Sequence, residues 1–365
     1  MEFLITAKLA NFAKTVTIFP TIIITFGFKI AFINVIIGYF DSISLMKRLL
    51  IILSSALCIA GCAEKPETEK ASVERFDIDI SAYPEMNPEQ RDSFRLRYSD
   101  AVAFAIQGDT VNADSALATY ARGKAVKMFG PDITERFTVI DSIETVLGSL
   151  KVGIAEKLPS VEWKKPVGVI STYNQSVIIA DSSLLIGLNH YLGSDYPAYS
   201  YFEPYQRAVK TPKHLPYDVA EAIIANKFPY QRQEDASLLN RMLYEGALLT
   251  AVNSVIANSD AAESMGYGTD EWKWLAENEK NVWSALIDRE LLFSIDPSIA
   301  ERMTRPAPAT SIIHPDAPGR TGRYIGYKIA QAYLKRHPEK SIEWLLSPEF
   351  YNSPTALIES QYAPK

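Results

Sequence analysis

The sequence predicts an α+β protein, predominantly helical with a small β-sheet. Three observations lead there. Apolar residues recur at helical spacing through most of the chain after residue 97. A single stretch, "PVGVISTYNQSVIIADS" at 166–182, is rich in β-formers on both sides of a polar turn. A composition of 47% hydrophobic and 22% charged residues over 365 positions supplies enough apolar material for a buried core.

The N-terminal elements concern address rather than fold. Met46-Lys47-Arg48, the apolar run "LLIILSSALCIA", Gly61-Cys62 and the polar "AEKPETEK" follow the order of a secretory signal: a basic region, a short apolar region and a small-residue cleavage site. Ile59-Ala60-Gly61-Cys62 has the form of a bacterial lipobox, in which the Cys62 thiol is lipidated and becomes the first residue of the mature chain. Residues 1–45 carry another apolar stretch, "TVTIFPTIIITFGFKIAFINVIIGYF", long enough to span a bilayer. A membrane helix there would strand the lipobox, so we read Met46 as the translation start and 1–45 as a mis-assigned extension. Residues 46–61 are then the signal, 62–75 a tether, and 76–365 the folded body. More than one acyl chain on Cys62 would give stable anchoring.

Charge and cysteine content narrow the function. The formal net charge is −6 and no dense Lys/Arg run occurs, which leaves nucleic acid without an electrostatic footprint. Five of the 37 basic and two of the 43 acidic residues precede Cys62, so the mature chain carries 32 basic against 41 acidic groups. The two cysteines, Cys58 and Cys62, both lie in the signal region, so the body has neither a disulfide framework nor a thiolate metal site.

Within the body, "RFDIDIS" (75–81) alternates as a strand does, and helices are expected over 97–108, 112–129 and 131–157. Residues 76–160 form a helical N-terminal part and 161–365 the core. The 166–182 stretch reads as a hairpin turning at Tyr173-Asn174-Gln175, followed by a helix at 183–192. Next comes an aromatic loop, "YLGSDYPAYSYFEPYQ". Three longer helices are expected near 216–228, 236–258 and 270–294, and a last one opens after "PGRTGR" and stops at Pro338. Gly246, in mid-helix, costs about 1 kcal/mol against alanine, which points to close packing by a neighbouring helix.

Recognisable catalytic patterns are missing: no G-x-S-x-G, P-loop or dinucleotide fingerprint occurs. His190, His214, His314 and His337 are scattered, form no local metal pair, and are expected at surface or loop positions. Glu221 and Glu245 stand out as acids within apolar helices, each with solvent exposure as the ordinary alternative. Tyr196, Tyr199 and Tyr201 suit a glycan or peptide edge, or simply close a core. Arg320, Arg323 and Tyr324 suit a carboxylate or phosphate, or the arginines pair with acids of the body.

The strings "RFDID", "LIGLNHYLGSDYPAY", "LLNRMLYEGALLTAV", "NEKNVW" and "PGRTGRYIGYKIAQAYL", in this order, resemble the gliding motility lipoprotein GldB family of Bacteroidetes. That family is similar in turn to zinc-peptidase-like proteins, in which an H-E-x-x-H helix precedes an E-G-x-A helix. The resemblance implies a degenerate zincin-like (gluzincin) architecture. Glu221 falls at the general-base position and Glu245 at that of the third ligand, while Ala220 and Ile224 replace both histidines. It implies a pseudo-peptidase with no metal and no cofactor, lipid-anchored at Cys62 in the outer membrane and facing the periplasm. Its partners would be envelope proteins of gliding or type IX secretion. The alternatives are a metallopeptidase recruiting His190 or His214, and a glycan- or peptide-binding lipoprotein.

Overall fold

The computed structural model describes residues 70–364, apart from Val139, Tyr173 and Asn174. The signal, Cys62, most of the tether and the turn at Tyr173-Asn174 lie outside the described residues. The chain from Thr68 to Lys365 forms one compact unit. It is mostly helical with one three-stranded sheet.

The helices of eight or more residues are α1 (Pro88–Arg97), α2 (Ser99–Ile106), α3 (Ala113–Ala121), α4 (Lys124–Arg136), α5 (Asp141–Lys157), α6 (Leu215–Lys227), α7 (Leu238–Val255), α8 (Thr269–Asp288), α9 (Pro297–Thr304) and α10 (Thr321–Arg336). The strands are β1 (Lys165–Val169), β2 (Val177–Ile179) and β3 (Ser183–Gly187). Among the described residues no helix is long and apolar enough to cross a membrane.

The sheet departs from the expected hairpin. β1 and β2 do not pair with each other; the order is β1-β3-β2, with β1 parallel and β2 antiparallel to β3. The expected helix at 183–192 is instead β3 followed by a single 3-10 turn, Leu188–His190. Every residue of β3 is buried. Leu184 and Ile186 join the large core and Leu185 a smaller one, as the two-residue period of a strand requires. A central strand covered on both faces loses its apolar–polar alternation, so its short apolar run reads equally as helix.

The smaller core lies under the N-terminal helices. Phe76, Ile80 and Tyr83 are fully buried there with Phe94, Tyr98 and Leu117, against Val167, Val169 and Leu185 of the sheet. "RFDIDIS" is accordingly helical, Phe76–Asp79 running into a 3-10 turn over Ile80–Glu85, with only Glu74 bridging to Val167 in extended form. Phe76, Ile80 and Tyr83 follow the i, i+4, i+7 helical spacing, which here prevails over the alternation. Gly123, rather than the Gly130-Pro131 pair, separates the early helices, and Pro131 sits inside α4.

In the large core α7 is central and packs most extensively on α10. A Cβ on Gly246 would lie 2.0 Å from the Gly326 carbonyl carbon, and one on Gly326 would lie 1.8 Å from the Met242 oxygen. The expected close neighbour of Gly246 is therefore α10, and their glycines permit a backbone-to-backbone crossing. This crossing sets the geometry of the polar groups on either side.

Candidate functional site

Three helices bring Glu221, Glu245 and Arg323 together. Glu221 lies on α6, Glu245 beside Gly246 on α7, and Arg323 three residues ahead of Gly326 on α10, so the glycine crossing holds Arg323 against the other two helices. Arg323 Nη2 donates to Glu221 Oε2 at 2.6 Å, and Arg323 Nε stands 3.6 Å from Glu245 Oε2. The second oxygen of Glu245 is taken by Arg241, one turn earlier on α7, at 2.5 Å. The Arg241 guanidinium in turn stacks on Tyr230, 4.9 Å from the ring centre.

The electrostatics of this cluster close on themselves. Arg323 is buried, and burial works against its charge, but Glu221 and Glu245 outweigh that and raise its pKa. Two carboxylates and two guanidiniums make a neutral group at the junction of α6, α7 and α10. Glu221 keeps a third of its side chain exposed, while Glu245 is nearly covered.

Zinc does not fit this donor set. Ala220 and Ile224 are fully buried in the large core and offer no lone pair, while the carboxylates are ion-paired to Arg323. A catalytic zinc takes three protein ligands and a water. Among the described residues no group of three His, Cys, Asp or Glu side chains is placed to hold a metal ion.

Of the surface or loop positions expected for them, His190 and His214 are not at the surface: both are buried, His190 in the 3-10 turn after β3 and His214 in the turn ahead of α6. His214 sits at the start of α6, with Nε2 3.4 Å from Asp218 and Nδ1 3.6 Å from Glu263. Burial opposes its charge, yet these two acids prevail and push it up to about 9; the charge of His214 at 3.6 Å, with the Lys213 ammonium donating beside it, holds Glu263 at about 2. An imidazolium has no lone pair to offer a metal. Asp218 also accepts from Tyr191 Oη at 2.7 Å. His190 is the opposite case, with burial and the nearby Lys210 pushing it down to about 4. Its neutral ring donates from Nε2 to the Thr172 carbonyl at 2.9 Å and accepts at Nδ1 from Lys210 Nζ at 3.0 Å.

The remaining candidates part company. Tyr199 is fully buried, and its hydroxyl donates to the Asn189 carbonyl; Tyr196 packs edge-on against it and donates to Asp132. Tyr201 is 61% exposed and lies against Phe202. The three tyrosines therefore do not share one face. Tyr324 is buried and donates to Glu279 at 2.8 Å, away from Arg323. Arg320 instead lines a cavity with His190, Lys210 and Asp218. Lys210, Asp218 and Arg241 were not singled out in the sequence. The local signals are the i, i+4 spacings of His214 with Asp218 and of Arg241 with Glu245; Lys210 has none.

Fold and site define a mostly helical α+β protein whose acidic helix pair is closed over a buried arginine. The family model described as "Gliding motility protein GldB" matches residues 62–364, and the chain belongs to that family, a family of cell-envelope lipoproteins. The match begins at Cys62, the residue expected to carry the lipid. No curated protein and no solved structure matches the chain significantly.

Proposed function

We propose that the chain acts without catalysis, as a lipid-anchored scaffold or binding component of the gliding machinery, of type IX secretion or of envelope assembly. The observation that carries this reading is the capture of both acids by one guanidinium. Arg323 spans Glu221 and Glu245, the positions that the peptidase resemblance assigns to the general base and the third ligand. In this reading α6 and α7 are a degenerate zincin-like helix pair, and the arginine supplies the positive charge that a metal supplied in an ancestor. Lipidation at Cys62 would hold the body at the outer membrane on its periplasmic side, where envelope proteins are its partners.

Complementation tests it. The gene is deleted and restored as the full chain, as Cys62→Ser and as Glu221→Gln, with colony spreading and membrane fractionation as readouts. Glu221→Gln is expected to restore spreading at normal protein level, and Cys62→Ser to leave the membrane fraction and fail. A stable, membrane-bound Glu221→Gln protein that does not restore spreading, or about one equivalent of zinc in the purified full chain, would overturn the reading.

A further inference from the structure

We propose that the cavity lined by Lys210, Arg320, His190, Gln206 and Tyr205 binds a phosphate dianion, with Lys210 and Arg320 as its two cationic contacts. The cavity measures about 330 Å³, large enough for a phosphate with a small substituent. It is separate from the Arg323 cluster, and the proposal does not depend on whether α6 and α7 descend from a peptidase.

The argument rests on which charges nearby are already matched. Arg323 and Arg241 answer Glu221 and Glu245. His214, held protonated, and Lys213 answer Asp218 and Glu263. Asp218 lies in the cavity wall, but its carboxylate is engaged by His214 and by the Tyr191 hydroxyl. Of the lysines and arginines, the two that line the cavity, Lys210 and Arg320, are left over. Among the described residues no carboxylate comes within ion-pair distance of Lys210, and Arg320 makes neither an ion pair nor a side-chain hydrogen bond. Burial lowers the pKa of both.

Lys210 is built in rather than stray. Only 8% of it is exposed. Its ammonium donates to a neutral imidazole, His190 Nδ1, and faces Phe202 at 4.6 Å and Tyr199 at 5.4 Å from the ring centres. An imidazole lone pair and two ring faces orient the ammonium without neutralising it. His190 in turn is fixed by its bond to the Thr172 carbonyl. Arg320 is fixed through its backbone. Thr310 and Thr321 hydroxyls both donate to the Pro318 carbonyl at 2.7 Å, Tyr267 donates to the Gly319 carbonyl, and Arg320 itself is left-handed at φ 62°. A conformation that disfavours any side chain is held here by a pinned loop, and it delivers a guanidinium to the cavity. Two unmatched cations, one of them a fork suited to oxyanions, select a dianion over a monoanion. Gln206 and Tyr205 supply further neutral donors.

Calorimetric titration of the detergent-solubilised full chain with inorganic phosphate, and with acetate as a monoanion that also accepts through oxygen, tests this. Phosphate is expected to bind at least about ten-fold more tightly than acetate, with affinity falling as salt rises. Arg320→Gly suits the local backbone and should fold as the parent does while lowering phosphate affinity about ten-fold or more. Lys210→Met should act likewise, and the exposed Lys227→Gln should change nothing. Glycerol phosphate and a short-chain phosphatidic acid distinguish the source: tighter binding of the first assigns the site to a soluble phosphomonoester, of the second to a lipid head group. No phosphate binding by folded protein, equal affinity for acetate, or full affinity in folded Arg320→Gly would each overturn the proposal.

Discussion

Gly246 and Gly326 face each other where α7 crosses α10, each standing where a β-carbon would enter the other helix's backbone. The contact is backbone on backbone, so no side chain can move aside to relieve it. Gly246→Ala and Gly326→Ala should each destabilise the protein by about 3 kcal/mol, at the upper end of overpacking costs, despite the higher helix propensity of alanine. Urea unfolding of the two variants measures this. A gain in stability from either would mean that the helices can separate without loss.

The same crossing makes Arg323 the most sensitive polar residue of the core. Arg323→Met leaves Glu245 covered and facing Glu221 with only Arg241 in support, which should cost about 3 kcal/mol. Glu221→Gln should cost only about 1 kcal/mol, because that side chain is one-third exposed and Glu245 still answers Arg323. Arg323→Met combined with Glu245→Met should recover part of the loss, and a double-mutant cycle in urea reads the coupling.

Arg320 predicts the reverse sign. At φ 62° and ψ 23° its backbone suits glycine, so Arg320→Gly should leave stability equal or raise it by about 1 kcal/mol. Arg320→Val should lower it by at least about 1 kcal/mol, since a β-branched residue tolerates that conformation least. Thermal melting of the pair separates backbone strain from loss of charge, which both variants share.

Legibility in the sequence followed the length and exposure of each element. α6, α7 and the start of α8 lie within three residues of their expected positions, because long amphipathic or capped segments declare themselves. The expected end of α8 lies six residues beyond the observed one: the helix stops at Asp288, and Glu290 turns left-handed without a glycine to announce it. β3 reads as helix in the sequence because "LLI" carries no alternation when both faces are covered. Phe76 and Ile80 fit a strand and a helix equally until Tyr83 is counted with them. Glu221, Glu245 and Arg323 were each visible as unusual residues. Their meeting was not, since Glu221 and Arg323 are 102 positions apart, on α6 and α10, which both pack on α7. Lys210 had no pattern at all, because its role comes from a cavity wall assembled from separate loops.

The two buried histidines should shape stability against pH in opposite ways. His214 has a folded pKa of about 9 against an ordinary 6.5, so its contribution is complete below pH 6.5 and is lost as pH rises through 9. His190 has a folded pKa of about 4, so the unfolded chain takes up its proton first, and stability falls as pH drops from 6.5 through 4. Each limb amounts to on the order of 2 kcal/mol for a well-buried ring. Together they place the stability maximum near pH 6.5, with Glu263, at about 2 against an ordinary 4.5, adding a further loss that begins below pH 4.5. Urea midpoints from pH 4 to 9 measure the profile. His214→Gln should flatten the alkaline limb and leave the acid limb, whereas His190→Gln should flatten the acid limb alone. An alkaline limb that survives His214→Gln would mean that the proton held between Asp218 and Glu263 contributes nothing to the fold.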